Sequence, residues 1–261
     1  MKIIISKDLD SGEFVKFNVD KRFGIIILNR VERGNALTIE MLKNLKNAIE
    51  HCQNSDKIRG VILTGNGSSF TTGMDLGAID GSDQAAVKDY EGTSASITKM
   101  LFSGKPVVCA INGKAMGDGV AYALCADYRV AVKDSYFQMP EIFSGIFPGG
   151  GTSVIMPKIV GIPWAKKILM FGEKVSSGKA LEIGLIDEIV DSKEELMKSA
   201  REKARFLSTK QQAVLNAIKL CSNYFFDKNY NEAYEIEKEA SAWYEHDDKE
   251  QFVRNFRKKF L

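Results

Sequence analysis

Histidine is the scarcest of the residues that usually carry chemistry: His51 and His246 are the only two in 261 residues. Two imidazoles are too few for HExxH-type metal sites and leave a triad hydrolase almost no choice of base. His51 closes the helical run Thr38–Gln53, and His246 sits in the charged stretch Glu245-His246-Asp247-Asp248, so both read as surface or cap residues. The four cysteines, at positions 52, 109, 125 and 221, form no CxxC pair. That excludes the usual zinc spacing and a secreted disulfide framework, and points to free thiols in a reducing compartment. No charge sign dominates either: 36 Lys and Arg face 34 Asp and Glu, a formal +2. A nucleic-acid partner would need a far more basic surface. No stretch approaches the roughly 18 apolar residues of a membrane span, and Lys7 and Asp8 interrupt the opening Met1–Ser6 before it becomes a secretory core. The last residues, Lys259-Phe260-Leu261, carry no Ser-Lys-Leu address or lipidation box. A cytoplasmic protein with neither membrane nor nucleic-acid partner is expected.

What is present is the profile of a folded protein, with 44% apolar and 27% charged residues and only five prolines. Phe14–Val19 and Phe23–Leu28 read as a β-hairpin. From Thr38, a plausible N-cap, the apolar residues Met41, Leu42, Leu45, Ala48 and Ile49 fall on one helical face. Ile58–Thr64, Val107–Ile111 and Tyr128–Val132 are compact buried strands, with an amphipathic helix over Ala85–Leu101. Strands alternating with helices predict an α/β fold with a mostly parallel sheet. After Gly161 strand signals nearly vanish, and Trp164–Phe171, Ser177–Ile183, Glu194–Leu207, Gln211–Phe225 and Glu232–Tyr244 all show helical spacing. The aromatic and charged stretch Asn229–Leu261 reads as a solvated face or an oligomer contact.

Three loops lie where strands hand over to helices. Gly67–Leu76 follows the strand Ile58–Thr64; Asn112–Gly119 follows Val107–Ile111 and leads into a small-residue helix, Val120–Ala126. Backbone N–H groups at a helix start lack intrahelical acceptors and carry the positive end of the dipole, so two of them converging would hold an oxyanion. Neither loop is a phosphate loop: GxxxxGK[ST] is absent, and Gly117-Asp118-Gly119 lacks the third glycine of a dinucleotide fingerprint. The third loop runs Phe137–Ile142 and then Gly145–Gly151, and holds Glu141 among apolar neighbours. Desolvation there would tune a carboxylate for proton abstraction near neutral pH; the alternative is an idle N-terminal helix acid beside Pro140. Taken singly, each loop is more often a plain turn.

Together, Asn35-Ala36-Leu37, Phe70–Leu76, Ala110–Gly119, Asp127 and Phe137–Gly151 resemble the enoyl-CoA hydratase/isomerase (crotonase) family, in the right order over nearly the whole chain. The resemblance implies a crotonase-like ββα spiral core over residues 1–200, a C-terminal helical trimerisation region over 201–261, and a homotrimer or a homohexamer built as a dimer of trimers. It implies an acyl-CoA thioester as the partner, no cofactor beyond the coenzyme A of the substrate, and no metal. The thioester oxygen would be held by the N–H groups of Met74 and Asp118. Ala36 and Leu37 would lie along the adenine and pantetheine path, Asp75, Leu76 and Gly77 beside the acyl thioester, and Phe256 and Lys259 would reach a neighbouring subunit's coenzyme A. Arg30 and Arg33 are candidates for its phosphates, or equally exposed loop charges.

Departures from the family pattern bear on the reaction. Hydratases of the family carry two glutamates, and this chain has Ala121 at the first position and Glu141 at the second. Gly149 stands where peroxisomal-type isomerases carry their glutamate. One acid can move a proton from C2 to C4 of a single enolate, so the pattern resembles single-glutamate Δ3,Δ2-enoyl-CoA isomerases. Asp118 stands where a glycine is usual; its side chain is tolerable if it points outward, or it is the second acid of an unusual hydratase or thioester hydrolase, with Tyr122 assisting. A non-catalytic CoA-binding module is the remaining alternative.

Overall fold

The structure is a computed structural model that describes residues 13–79, 83–224 and 248–260. The chain opens with the expected hairpin, β1 (Val15–Asp20) antiparallel to β2 (Phe23–Leu28). Helix α1 (Ile39–Asn54) follows, with the Thr38 hydroxyl accepting the Met41 N–H at 3.1 Å and Met41, Leu42, Leu45, Ala48, Ile49 and Cys52 buried on one face. A unit then recurs in which a long strand is followed by a three-residue strand. These pairs are β3 (Gly60–Gly65) with β4 (Ser69–Thr71), β5 (Val107–Ile111) with β6 (Lys114–Met116), and β7 (Tyr128–Val132) with β8 (Tyr136–Gln138). Helix α2 (Gln84–Ser103) follows the first pair, α3 (Asp118–Leu124) the second, and α4 (Thr152–Phe171) comes after the third.

The long strands form a six-stranded sheet ordered β1-β2-β3-β5-β7-β10, parallel from β2 onward, where β10 is Glu188–Val190. Its strands alternate between two cores, as a period of two requires when both faces are covered. Ile26, Val61, Leu63 and Cys109 enter the main core with α1. Ile25, Ile62, Val108 and Val130 meet Leu196, Ala200 and Ala204 of α6 (Lys193–Ser208). The short strands form a second sheet, β4-β6-β8-β9, in which β4, β6 and β8 are parallel and β9 (Val175–Ser176) is antiparallel.

The region after Gly161, expected to be helical, also contributes β9 and β10 to the two sheets. Its helices are α4, broken at Gly161 (φ 76°, ψ 157°), α5 (Ser177–Glu182), α6, α7 (Gln212–Tyr224) and α8 (Lys249–Phe260). The helix expected over Glu232–Tyr244 lies outside the described residues, as does His246. The boundary expected at residue 200 lies within α6, which packs on the large sheet. Buried Lys219 fixes α7 to the core, donating to the Leu101 carbonyl at 2.7 Å and pairing with Asp127 at 2.6 Å. Among the described residues, no helix is long and apolar enough to cross a membrane.

Candidate active site

The second sheet decides where the chemistry lies. Because β4, β6 and β8 are adjacent and parallel, the segments leaving their C-terminal ends, Thr72–Met74, Gly117–Asp118 and Met139–Glu141, emerge side by side. A Cβ placed on Gly73 would stand 3.4 Å from the Asp118 nitrogen and 3.1 Å from the Met116 carbonyl. The first two loops are therefore in contact. Gly117, at φ +52°, sits where all three meet: a Cβ there would stand 3.0 Å from Glu141 Oε1 and 3.6 Å from the Gly73 Cα. Only glycine takes that backbone without strain and leaves the carboxylate its room.

The two N–H groups expected to hold an oxyanion lie on the two loops that meet. Leu37 pairs with Met74 as in a parallel ladder, its N–H donating to Gly73 O at 2.8 Å and its carbonyl accepting from Asp75 N–H at 3.0 Å. In that pattern Met74 itself directs its N–H away from Leu37. Asp118 is the first residue of α3, whose first N–H groups lack an acceptor one turn earlier.

The loops open onto a cavity of about 640 Å³ lined by Met74, Tyr90, Ser94, Asp118, Ala121 and Glu141 among others. That size suits a small organic ligand. Glu141 begins a 3-10 turn, Glu141–Ser144, ended by Gly145 at φ +65°. Its carboxylate faces Gly117 and the cavity, and its buried Oε2 has no hydrogen-bond partner. Burial, with the nearby Asp118 charge adding to it, pushes the Glu141 carboxyl up to about 7 from its usual 4.5. A carboxyl so placed has the affinity a proton acceptor needs near neutral pH.

Of the two placements left open for the Asp118 side chain, the structure has the inward one. Tyr90 Oη donates to Asp118 Oδ2 at 2.6 Å and Ser94 Oγ donates to Oδ1, drawing the carboxyl toward α2 at the cavity wall. Burial holds Asp118 above the usual carboxylate range despite those two donors, which act to lower it. Tyr122 is fully buried and does not line the cavity. Burial, and secondarily Asp118, hold its phenol well above its ordinary value.

Of the other expected site residues, Leu76 lines the cavity and is exposed at its rim. Ala36, Leu37, Asp75 and Gly77 are not among the residues that line it. Leu37 places its side chain in the core and Ala36 is buried. Asp75 is buried, accepts from Arg30 at 2.6 Å and the Gly77 N–H at 3.0 Å, and has Arg33 at 3.5 Å. Burial alone would raise its pKa, but these partners hold it below the usual range. Arg30 is thereby committed to the loop, and Arg33, more than half exposed, keeps the freer guanidinium. Phe256 packs with Phe252, Ala213, Ala217 and Leu220 between α7 and α8; Lys259, on α8, is exposed, and neither lines the cavity. His51 ends α1 with its ring edge-on to Phe17.

Sequence reasoning did not single out Tyr90, Ser94 or Glu91, which α2 brings to the cavity. It also did not foresee how Asn35 works. That fully buried residue, at φ +59°, gives its amide to the carbonyls of Asn66, Ser69 and Phe70, and its Oδ1 accepts from the Arg30 N–H. It clamps the approach to β4 against the loop before α1.

Three loops that meet beside a buried carboxylate lie here on the two-sheet ββα spiral of the crotonase fold. The sequence model of the enoyl-CoA hydratase/isomerase family matches residues 20–259, and the chain belongs to that family. It is 31% identical to the 1,2-epoxyphenylacetyl-CoA isomerase of Escherichia coli over 81% of this chain and 82% of that one. It is 27% identical to the crotonyl-CoA hydratase of Syntrophomonas wolfei over 85% of each chain. Among solved structures, an enoyl-CoA hydratase from Bacillus anthracis superposes with a TM-score of 0.85 at 25% identity, covering 95% of this chain and 97% of that one.

Proposed function

We propose that the protein is a cytoplasmic enoyl-CoA isomerase that moves a double bond through a thioester enolate. The N–H groups of Met74 and Asp118 hold the thioester oxygen, and negative charge develops there as Glu141 removes a proton from C2. The same carboxyl, now protonated, returns the proton to C4, so electrons shift toward the thioester and the double bond becomes conjugated. The observation that carries the reading is the Glu141 carboxyl, raised to about 7, with its buried Oε2 unpartnered, and set beside the meeting point of the two donor loops. Ala121 brings no carboxylate to the same cavity, which favours isomerisation over the two-acid addition of water.

A second reading, hydratase or thioester hydrolase, is favoured by one observation: the Asp118 carboxyl lies in the cavity wall rather than in solvent. Incubation with a 3-enoyl-CoA separates the possibilities. Appearance of the conjugated 2-enoyl-CoA, lost in Glu141→Gln, supports the isomerase; 3-hydroxyacyl-CoA or free thiol supports the second reading. Coenzyme A affinity without turnover of any acyl chain would leave a non-catalytic binding module. The reading also takes the working unit to be a homotrimer or dimer of trimers in which Phe256 and Lys259 of one copy approach the coenzyme A of the next. Light scattering that finds a monomer at micromolar concentration would remove that part.

A further inference from the structure

Glu141 and the two N–H groups account for the reacting end of the cavity, but not for the polar cluster that α2 builds into its wall. Tyr90 and Ser94 are 2% and 4% exposed, and both spend their hydroxyl hydrogens on Asp118. Among the described residues no Lys, Arg or His lines the cavity, whereas Glu91, Asp118 and Glu141 do. The cations on the loop before α1, Arg30 and Arg33, are engaged with Asp75 and stand outside it.

Consider what an acyl group meets here. With Asp118 ionised, Tyr90 and Ser94 offer only lone pairs beyond the cluster, so a second carboxylate would find acceptors along this wall and, among the described lining residues, no cation. With Asp118 protonated, one hydrogen is added to be shared among the three groups, still with no cation. Burying a carboxylate without a partner is strongly unfavourable. The rest of the lining, including Met74, Ala95, Met116, Ala121, Met139 and Ile146, suits hydrocarbon.

We propose that the Tyr90–Ser94–Asp118 cluster makes Asp118 a specificity determinant, confining the site to thioesters of uncharged acyl groups and rejecting acyl groups that end in a carboxylate. The proposal rests on the coenzyme A thioester reading of the site but not on the direction of any double-bond shift. Its test is the binding of two four-carbon ligands without a double bond, butanoyl-CoA and freshly prepared succinyl-CoA, to the full-length protein by calorimetry at low salt. Two unit charges about 8 Å apart at an effective dielectric constant near 20 repel enough to separate the two affinities by about 30-fold. Butanoyl-CoA is therefore expected to bind about 30-fold more tightly, and the isosteric Asp118→Asn to narrow the ratio to below about fivefold. Equal affinities in the unaltered protein would overturn the proposal, as would an undiminished ratio in a folded Asp118→Asn. Neither ligand carries a double bond, so the measurement stands apart from the isomerase assay. Selectivity without isomerisation refutes the isomerase reading alone; isomerisation without selectivity refutes only this one.

Discussion

Replacing Glu141 by Gln should remove the reaction and at the same time stabilise the fold, by an amount that depends on pH in a defined direction. The carboxyl is raised to about 7 in the folded protein from 4.5. Between those values the folded state binds more protons than the unfolded state, so this group's contribution falls as pH rises from about 4.5 and levels off above 7. A difference of about 2.5 converts at most to about 3 kcal/mol. Because the carboxyl faces a cavity open to water, screening reduces this to about 1–2 kcal/mol. Gln keeps the shape and cannot ionise, so it escapes the cost. In a chain of this size that is a rise in melting temperature of roughly 2–6 °C at pH 8, shrinking to almost nothing near pH 4.5. Thermal unfolding of both proteins across that range, followed by circular dichroism, reads the effect directly. The same increment at pH 5 and pH 8, or a lower melting temperature for the variant at pH 8, would refute the desolvated-carboxylate argument. Loss of the base should separately reduce turnover by about 10²–10⁴-fold.

Further expectations test the surrounding scaffold. Gly117→Ala puts a Cβ about 3.0 Å from Glu141 Oε1 at φ +52°; the protein should fold, weakened by about 1–2 kcal/mol, with kcat at least tenfold down, and unchanged kcat would deny that the loops meet there. Asn35→Ala strands the Arg30 N–H and removes the side-chain donor to the Asn66, Ser69 and Phe70 carbonyls, of which Ser69 keeps Asn112, and should lower stability in urea by about 2–4 kcal/mol; a loss under 1 kcal/mol would contradict the clamp. Lys219→Met leaves Asp127 without its cation and the Leu101 carbonyl without its donor, which should cost about 2–4 kcal/mol and expose α7 to proteolysis; resistance equal to the unaltered protein would show that α7 docks without the pair.

What could be read from the sequence depended on length and period. Helices α1 and α2 have three or more turns of periodic apolar residues and matched closely, down to the Thr38 cap. The hairpin and the long strands β3, β5 and β7 were legible as dense runs of β-branched residues. Strands β4, β6 and β8 were not, because three residues are too few to show alternation, and they lay inside segments that read as loops. Their loss hid the cause of the site: glycines and acids marked each loop, but only the parallel pairing of those short strands brings the loops together. Strands β9 and β10 were hidden in a helical region for the same reason. The partners of Asp118 were out of reach too. Tyr90 and Ser94, four residues apart on α2, share a helix face in the sequence, but nothing local shows that this face meets the start of α3. Asn35 works through a positive φ and carbonyls more than thirty residues away, which no local pattern encodes.

The most direct measurement is a crystal structure with acetoacetyl-CoA, whose thioester mimics the enolate. The geometry calls for the thioester oxygen within about 3.2 Å of both the Met74 and Asp118 nitrogens, with the Glu141 carboxyl against C2. A thioester oxygen that touches only one of those nitrogens or neither, or a Glu141 carboxyl turned away from C2, would contradict it.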